Sequence, residues 1–172
     1  MMNLSENGLD IQGRFHIQLK RRGNIIFDCT IKNGVTNAAK NAILDAFFNS
    51  GTVYSNWYMG MIDNTSYSAV DATDTLQTHT GWSEFTDYNI TSSGNTAYRP
   101  LWGQDAASSQ QITNSTGVSI TFTANGTIVG YFITSQLTKG NSTGLLWSTA
   151  LLDAPLAVQS GDELILTYIL AA

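Results

Sequence analysis

Five carboxylates near the middle of the chain, Asp63, Asp71, Asp74, Glu84 and Asp87, are the first residues that could do chemistry. Glycosidic cleavage needs two carboxyl groups about 5 to 9.5 Å apart across a sugar. Nothing in the spacing of these five singles out a pair, and Asp is also the residue that opens polar turns. Asp71 and Asp74 offer oxygen ligands that calcium takes, but the loop pattern D-x-[DN]-x-[DN]-G is absent. His79, in Thr78-His79-Thr80, has no G-x-S-x-G nucleophile turn to serve. His16 alternates onto the polar side of a strand, and Cys29 falls on the apolar side of the next one with no sequence-adjacent base to activate it. A single cysteine excludes an intrachain disulfide and a thiolate zinc site. We therefore assign no catalytic residue, no metal ligand and no cofactor.

Two other sets of residues suit recognition. Tyr54, Trp57, Tyr58, Tyr67, Trp82, Phe85, Tyr88, Tyr98 and Trp102 crowd the centre of the chain. Flat rings of this kind stack on sugars or anchor protein interfaces, and they also fill β cores. Trp57, Tyr58, Trp82, Tyr98 and Trp102 are the candidates for an oligomer interface or a recognition surface. The second set is basic. Residues 1–40 carry six Lys and Arg against three carboxylates, a balance of +3, whereas the remainder carries two against ten, a balance of −8. Arg14, Lys20, Arg21, Arg22 and Lys32 are the candidate partner-binding cations. Lys20-Arg21-Arg22 is too short to count as a nucleic-acid patch, and it also suits a charged hairpin tip that keeps a β edge soluble.

These residues need elements to hold them. Phe15, Ile17 and Leu19, then Ile25, Phe27, Cys29 and Ile31, alternate about Arg21-Arg22-Gly23-Asn24, which predicts a β-hairpin. A helix over about 36–49 follows, opened by Thr36 and closed before Gly51, with Ala39, Ile43, Ala46 and Phe47 on one side. Trp57 to Ile62 is apolar on both faces, as a strand covered on two sides should be, and Gly60 marks a bulge or a close backbone approach. Residues 63–81 and about 87–111 read as long polar excursions, the first with room for one helical turn near Asp71 to Gln77. Val118 to Phe122 and Ile128 to Ile133 flank Asn125-Gly126, which predicts a hairpin. Leu145 to Leu152 and Leu164 to Leu170 are two more strands, the last introduced by a turn at Ser160-Gly161-Asp162-Glu163.

The 172 residues fit one domain. Only 12 % are charged, and 16 Ser, 21 Thr and 14 Asn supply the polar surface, a balance that favours strands and turns over helices. No apolar run reaches the roughly 18 residues of a membrane helix, and the polar start has no signal-peptide apolar core, so neither a membrane span nor ordinary secretion is expected. Seven or eight strands and one helix predict an all-β fold, an antiparallel β-sandwich with jelly-roll-like connectivity first and an up-and-down barrel second. Residues 1–32 form an N-terminal arm and β-hairpin, and residues 33–172 a body expected to fold without them.

The succession of hairpin, Lys32-Asn33-Gly34-Val35-Thr36-Asn37, helix, Trp57-Tyr58-Met59-Gly60-Met61-Ile62-Asp63 and Thr78-His79-Thr80-Gly81-Trp82-Ser83-Glu84-Phe85 resembles small structural proteins of tailed bacteriophages. The likeness continues through Tyr98-Arg99-Pro100, Thr138-Lys139-Gly140 and Ser160-Gly161-Asp162, so it spans roughly Gly13 to the end. It implies a non-enzymatic subunit made in the bacterial cytoplasm and carried on the virion. The first expectation is a capsid cement or decoration protein that binds the major capsid protein, as a homo-oligomer with a trimer favoured. The second is a tail or fibre component with a carbohydrate- or receptor-binding role. No nucleic-acid or membrane partner is implied. In a trimer, Trp57 to Ile62 and Leu145 to Leu152 would be the strands that meet across the interface.

Overall fold

The computed structural model describes residues 11–172. The first hairpin forms as its alternation requires, from β1 (Gln12–Arg21) and β2 (Asn24–Val35). Phe15, Ile17 and Leu19 point inward and are fully buried. Arg22 and Gly23 take φ of 51° and 80°, the two left-handed positions that a two-residue turn needs to match strand twist. The last strand, β10 (Glu163–Ala171), pairs with β1 along nearly its whole length, from Gln12 opposite Ala171 to Lys20 opposite Glu163. The hairpin is therefore the middle of the sheet. A boundary at residue 32 falls inside β2, and a cut there would strip β10 of its neighbour. Residues 1–10 of the expected arm lie outside the described residues.

The remaining strands are β3 (Tyr58–Asp63), β4 (Ser83–Phe85), β5 (Tyr88–Ile90), β6 (Gln111–Thr113), β7 (Val118–Phe122), β8 (Gly126–Thr134) and β9 (Leu146–Val158). They join one antiparallel sheet in the order β4-β3-β8-β9-β2-β1-β10-β7-β5, with β6 also on β10. The all-β class is as expected, in the form of a sheet curled into a half-barrel. Its outermost strands, β4 and β5, are separated in sequence only by Thr86 and Asp87, so the curl brings the two edges together. Phe85 on β4 meets Phe122 on β7 edge-on at 5.8 Å. There are ten strands where seven or eight were expected, because β4, β5 and β6 have three residues each, too few for an alternation to show.

The second expected hairpin is not one. β7 pairs with β10 and β5, whereas β8 pairs with β3 and β9, and four strands lie between β7 and β8 in the sheet. Asn125 and Gly126 do not take the positive φ of a tight hairpin turn. The Asn125 side chain accepts from the Ser160 amide at 2.9 Å, and Thr123 accepts from the Ser160 hydroxyl at 3.1 Å, so the link is tied to the β9–β10 turn as it crosses. An added Cβ at Gly126 would stand 2.3 Å from the Phe85 ring. This glycine serves close packing between the start of β8 and the edge strand β4.

β3 pairs with β4 and β8 and is covered on both faces as its sequence required, Met59 and Met61 packing in the main core and Ile62 in a second apolar cluster, each at most 1 % exposed. Leu146 to Ala150 of β9 are buried as well. At the ends of these segments Trp57, Tyr58, Leu145 and Leu152 are half-buried and Leu151 is 36 % exposed. No helical turn forms at residues 71–77. Asp71 accepts from the Thr73 amide and Asp74 from the Asp71 amide, the side-chain turns to which short polar residues lend themselves.

Helix α1 (Asn37–Phe48) begins where expected, with the Thr36 hydroxyl accepting from the Ala39 amide. The same hydroxyl donates to Leu146 at 2.6 Å, and the Thr36 amide donates to Trp147 at 3.0 Å. The start of the helix is thus stitched to β9. Ala39 is its buried contact, while Phe47, expected on the packed side, is 79 % exposed. The C-terminal half of α1 has no buried residue.

Candidate interaction site

Four of the five candidate carboxylates, Asp63, Asp71, Asp74 and Glu84, accept hydrogen bonds within the chain. Glu84, in the middle of β4, grips Arg99 with both oxygens, at 2.7 and 2.8 Å, and also accepts from the Gly140 amide at 2.7 Å. Arg99 is 2 % exposed and donates onward to the Gln136 carbonyl. Lys139 donates to the carbonyls of Thr86 and Tyr88 and lies 3.6 Å over the Tyr88 ring, where burial pulls its ammonium down to about 8. Together these bonds clamp the β8–β9 connection onto the corner between β4 and β5. Asp74 accepts from the Trp82 indole at 3.0 Å, and Asp63 accepts from the Thr65 amide. Asp87 is exposed. His79 stacks on Trp82 at 3.8 Å and donates from Nδ1 to the Trp82 carbonyl. His16 bonds Asp28 on the outer face of the hairpin at 2.9 Å, and burial pushes the half-buried Cys29 thiol up.

The basic set is split by the fold. Arg21 forms a two-pronged pair with the buried Asp162 at 2.9 and 2.7 Å, and Lys20 lies 3.9 Å from Glu163. Both therefore staple the hairpin tip to the start of β10. Arg14 and Lys32 face each other across β1 and β2, exposed, and Arg22 is exposed at the tip. None of these three makes an ion pair among the described residues. Strand rise puts Arg14 roughly 25 Å from Arg22.

Nor do the candidate aromatics converge. Trp102 is 3 % exposed, donates to the Tyr168 carbonyl and packs edge-on against the Tyr168 ring; Trp82 is 5 % exposed. Both belong to the core and offer no ring to a partner. Tyr58 is half-buried at the start of β3, and Tyr98 is exposed on its own stretch of loop. Trp57 is half-buried, edge-on to Trp147 at 5.4 Å and tilted against Tyr54 at 5.6 Å.

Trp57 leads to the surface that the sequence did not reveal. After α1, Ser50 turns at φ 54°, and Gly51, whose Cβ would stand 2.7 Å from that of Asp45, returns a backbone bond to the Asp45 carbonyl. The chain then doubles back along the helix. Between them Ile43, Phe47, Val53, Tyr54, Trp57 and Trp147 line a groove of about 140 Å³ whose walls are almost wholly apolar. Phe47 and Val53 at its rim are 79 and 77 % exposed, and Leu44 and Phe48, on the other side of the same helix, are 57 and 85 % exposed. Scattered surface apolars need no explanation, but four large ones at one end of a helix do. The signal in the sequence was the pair Phe47-Phe48, since adjacent helical residues diverge by 100° and one face cannot bury both.

Comparison with protein-family models and with curated proteins returns no match. No described helix is long and apolar enough to cross a membrane.

Proposed function

We propose that this chain is a non-enzymatic structural subunit of a tailed-phage particle, first as a capsid cement or decoration protein bound to the major capsid protein. The observation that carries the reading is the apolar face at the end of α1, a surface shaped for protein contact on a molecule whose carboxylates and histidines are largely engaged in holding loops. A cement subunit stabilises a shell by binding the assembled form and not the free subunits, so its effect grows with affinity and occupancy and requires no reacting group. Arg14, Lys32 and Arg22 are free to orient the subunit on an acidic shell, a contribution to docking rate more than to affinity. The exposed Tyr98 keeps a second reading in view, a tail or fibre component with a carbohydrate- or receptor-binding role.

Quantitative mass spectrometry of purified virions separates the two. A copy number comparable to that of the major shell protein is the expected result, accompanied by a lower shell melting temperature when the subunit is omitted. A handful of copies per particle would move the assignment to the tail, and absence from particles would end both readings.

A further inference from the structure

We propose that the β9-facing edge of β2 is a strand-accepting site, filled by an extended segment of another protein that pairs antiparallel to residues 28–32. This surface is distinct from the α1 face. β2 pairs with β1 along its whole length, but with β9 only through Asn33, Gly34 and Val35. Both strands run on past that junction, β2 toward Asn24 and β9 toward Val158, without pairing again. The Thr36 amide bonds the Trp147 carbonyl in the same register, so every second residue of β2 turns its main chain toward β9. That alternation directs the amides and carbonyls of Lys32, Thr30 and Asp28 to this edge. Among the described residues no strand pairs with them there.

The parting of the two strands also leaves the core incompletely covered. Phe27 and Cys29 of β2 and Leu152 and Leu156 of β9 pack against the main core and are only half-buried. Burial first, then Asp28 and Asp153, push the Cys29 thiol up, so β9 stays within electrostatic reach of β2 here. Where the strands part, a cavity of about 320 Å³ lies against Lys32, Val35, Val70, Asp71 and Leu151. An apolar group could cover these side chains, but it would leave the main-chain groups of Asp28, Thr30 and Lys32 dry and unpaired, which is costly. A polypeptide strand meets both needs, with its own amides and carbonyls on the β2 edge and every second side chain on the apolar row. β9 is the poorer edge, since Leu152 to Pro155 bulge out of its ladder with β8 and Pro155 has no amide hydrogen. Sheets commonly blunt a free edge with a bulge or with charges. The bulge of β2 lies at Ile26, outside the free row. The charges of Asp28 and Lys32 stand on the outer face, Asp28 held there by His16 and Gln18 at 2.9 and 2.8 Å and Lys32 opposite Arg14. The row between them is roughly 17 Å long, room for a segment of about five residues.

Amide hydrogen exchange of the full chain, read residue by residue, tests this. Without a partner, the amides of Asp28, Thr30 and Lys32 are expected to exchange about tenfold or more faster than those of Phe27, Cys29 and Ile31, which turn toward β1. Equal protection of the two sets would overturn the proposal. The probe is a library of peptides Lys-Thr-Xaa-Thr-Xaa-Thr-Lys, with Xaa as Val, Ile, Leu or Phe. In the antiparallel register the threonines lie opposite Asp28, Thr30 and Lys32 and donate to them, while Xaa turns inward. Peptide is therefore expected to slow the three edge amides to the rate of their neighbours. N-methylation of the peptide threonines should abolish the effect, and N-methylation of Xaa should spare it. No slowing by any member, or slowing that persists when the threonines are methylated, would overturn the proposal. Thr30→Pro removes the central donor without breaking a bond of the chain, so it is expected to keep the wild-type melting temperature and lose peptide binding. Phe48→Ser is expected to bind peptide as the wild type does, and loss of binding there would count against the β2 edge. Absence of the chain from virions would end the reading above and leave this one standing.

Discussion

Asp162 shows how one residue joins two distant segments. It is 2 % exposed, accepts two bonds from Arg21 and one from the Gln159 amide, and those donors hold its carboxyl below the ordinary carboxylate range. A carboxyl whose folded pKa is depressed stabilises the fold fully above its unfolded value, near 3.9, and loses that contribution as pH falls through the lower folded value. Asp162→Asn should therefore unfold at lower temperature than the wild type at neutral pH, and the gap should close as pH is taken well below 4. A gap that stays constant with pH would mean that the Arg21 pair contributes nothing through its charge. The sequence marked Asp162 as a turn residue but could not name a partner 141 positions away. The same is true of Glu84 and Arg99, which the sequence offered separately, one as a candidate carboxylate and the other within Tyr98-Arg99-Pro100.

At the scale of elements, Gly60 was legible as a close approach and Phe132 was not legible as the group that approaches. A Cβ built at Gly60 stands 2.1 to 2.6 Å from three atoms of that ring. Phe132 is fully buried and packs against Trp82 at 5.2 Å, so it has nowhere to retreat. Gly60→Ala is expected to destabilise by about 1 to 3 kcal/mol, the usual range for overpacking, seen as a lower urea midpoint with unchanged slope. A neutral substitution would show that β3 can move off β8. α1 teaches the complementary lesson. Its start was readable because Thr36 caps within three residues, whereas the side it presents to the sheet depends on where Thr36 is bonded to Leu146 and Trp147, more than a hundred positions on.

For the molecule as a whole, the position of the first hairpin decides what is an appendage and what is not. β1 lies between β2 and β10, and its three inward side chains, Phe15, Ile17 and Leu19, belong to the main core with Leu164, Leu166 and Tyr168. A chain of residues 33–172 would leave the whole inner edge of β10 unpaired and that core open. It is expected to show no cooperative unfolding transition by tryptophan fluorescence. A sharp transition with native-like circular dichroism would instead establish residues 1–32 as dispensable for folding. The clamp of Arg99, Glu84 and Lys139 works at the same scale, since it fastens the connection between two inner strands to the corner where the outer edges of the sheet meet.

The sequence by itself determined what is local: the β1–β2 hairpin, the capped helix, the two-sided burial of β3, the β10 strand and the all-β class. Each rests on a period or a cap read within about a dozen residues, and a period states which side chains turn inward. Only the tertiary structure decided which strands lie next to one another. Asn125-Gly126 had the composition of a hairpin turn and became a crossing between separated strands, because β10 offered β7 a matching apolar face and the curl of the sheet brought β8 within reach. It likewise left Phe47 and Phe48 exposed by 79 and 85 %, since burial is a property of what lies opposite, and that is set by contacts distant in sequence.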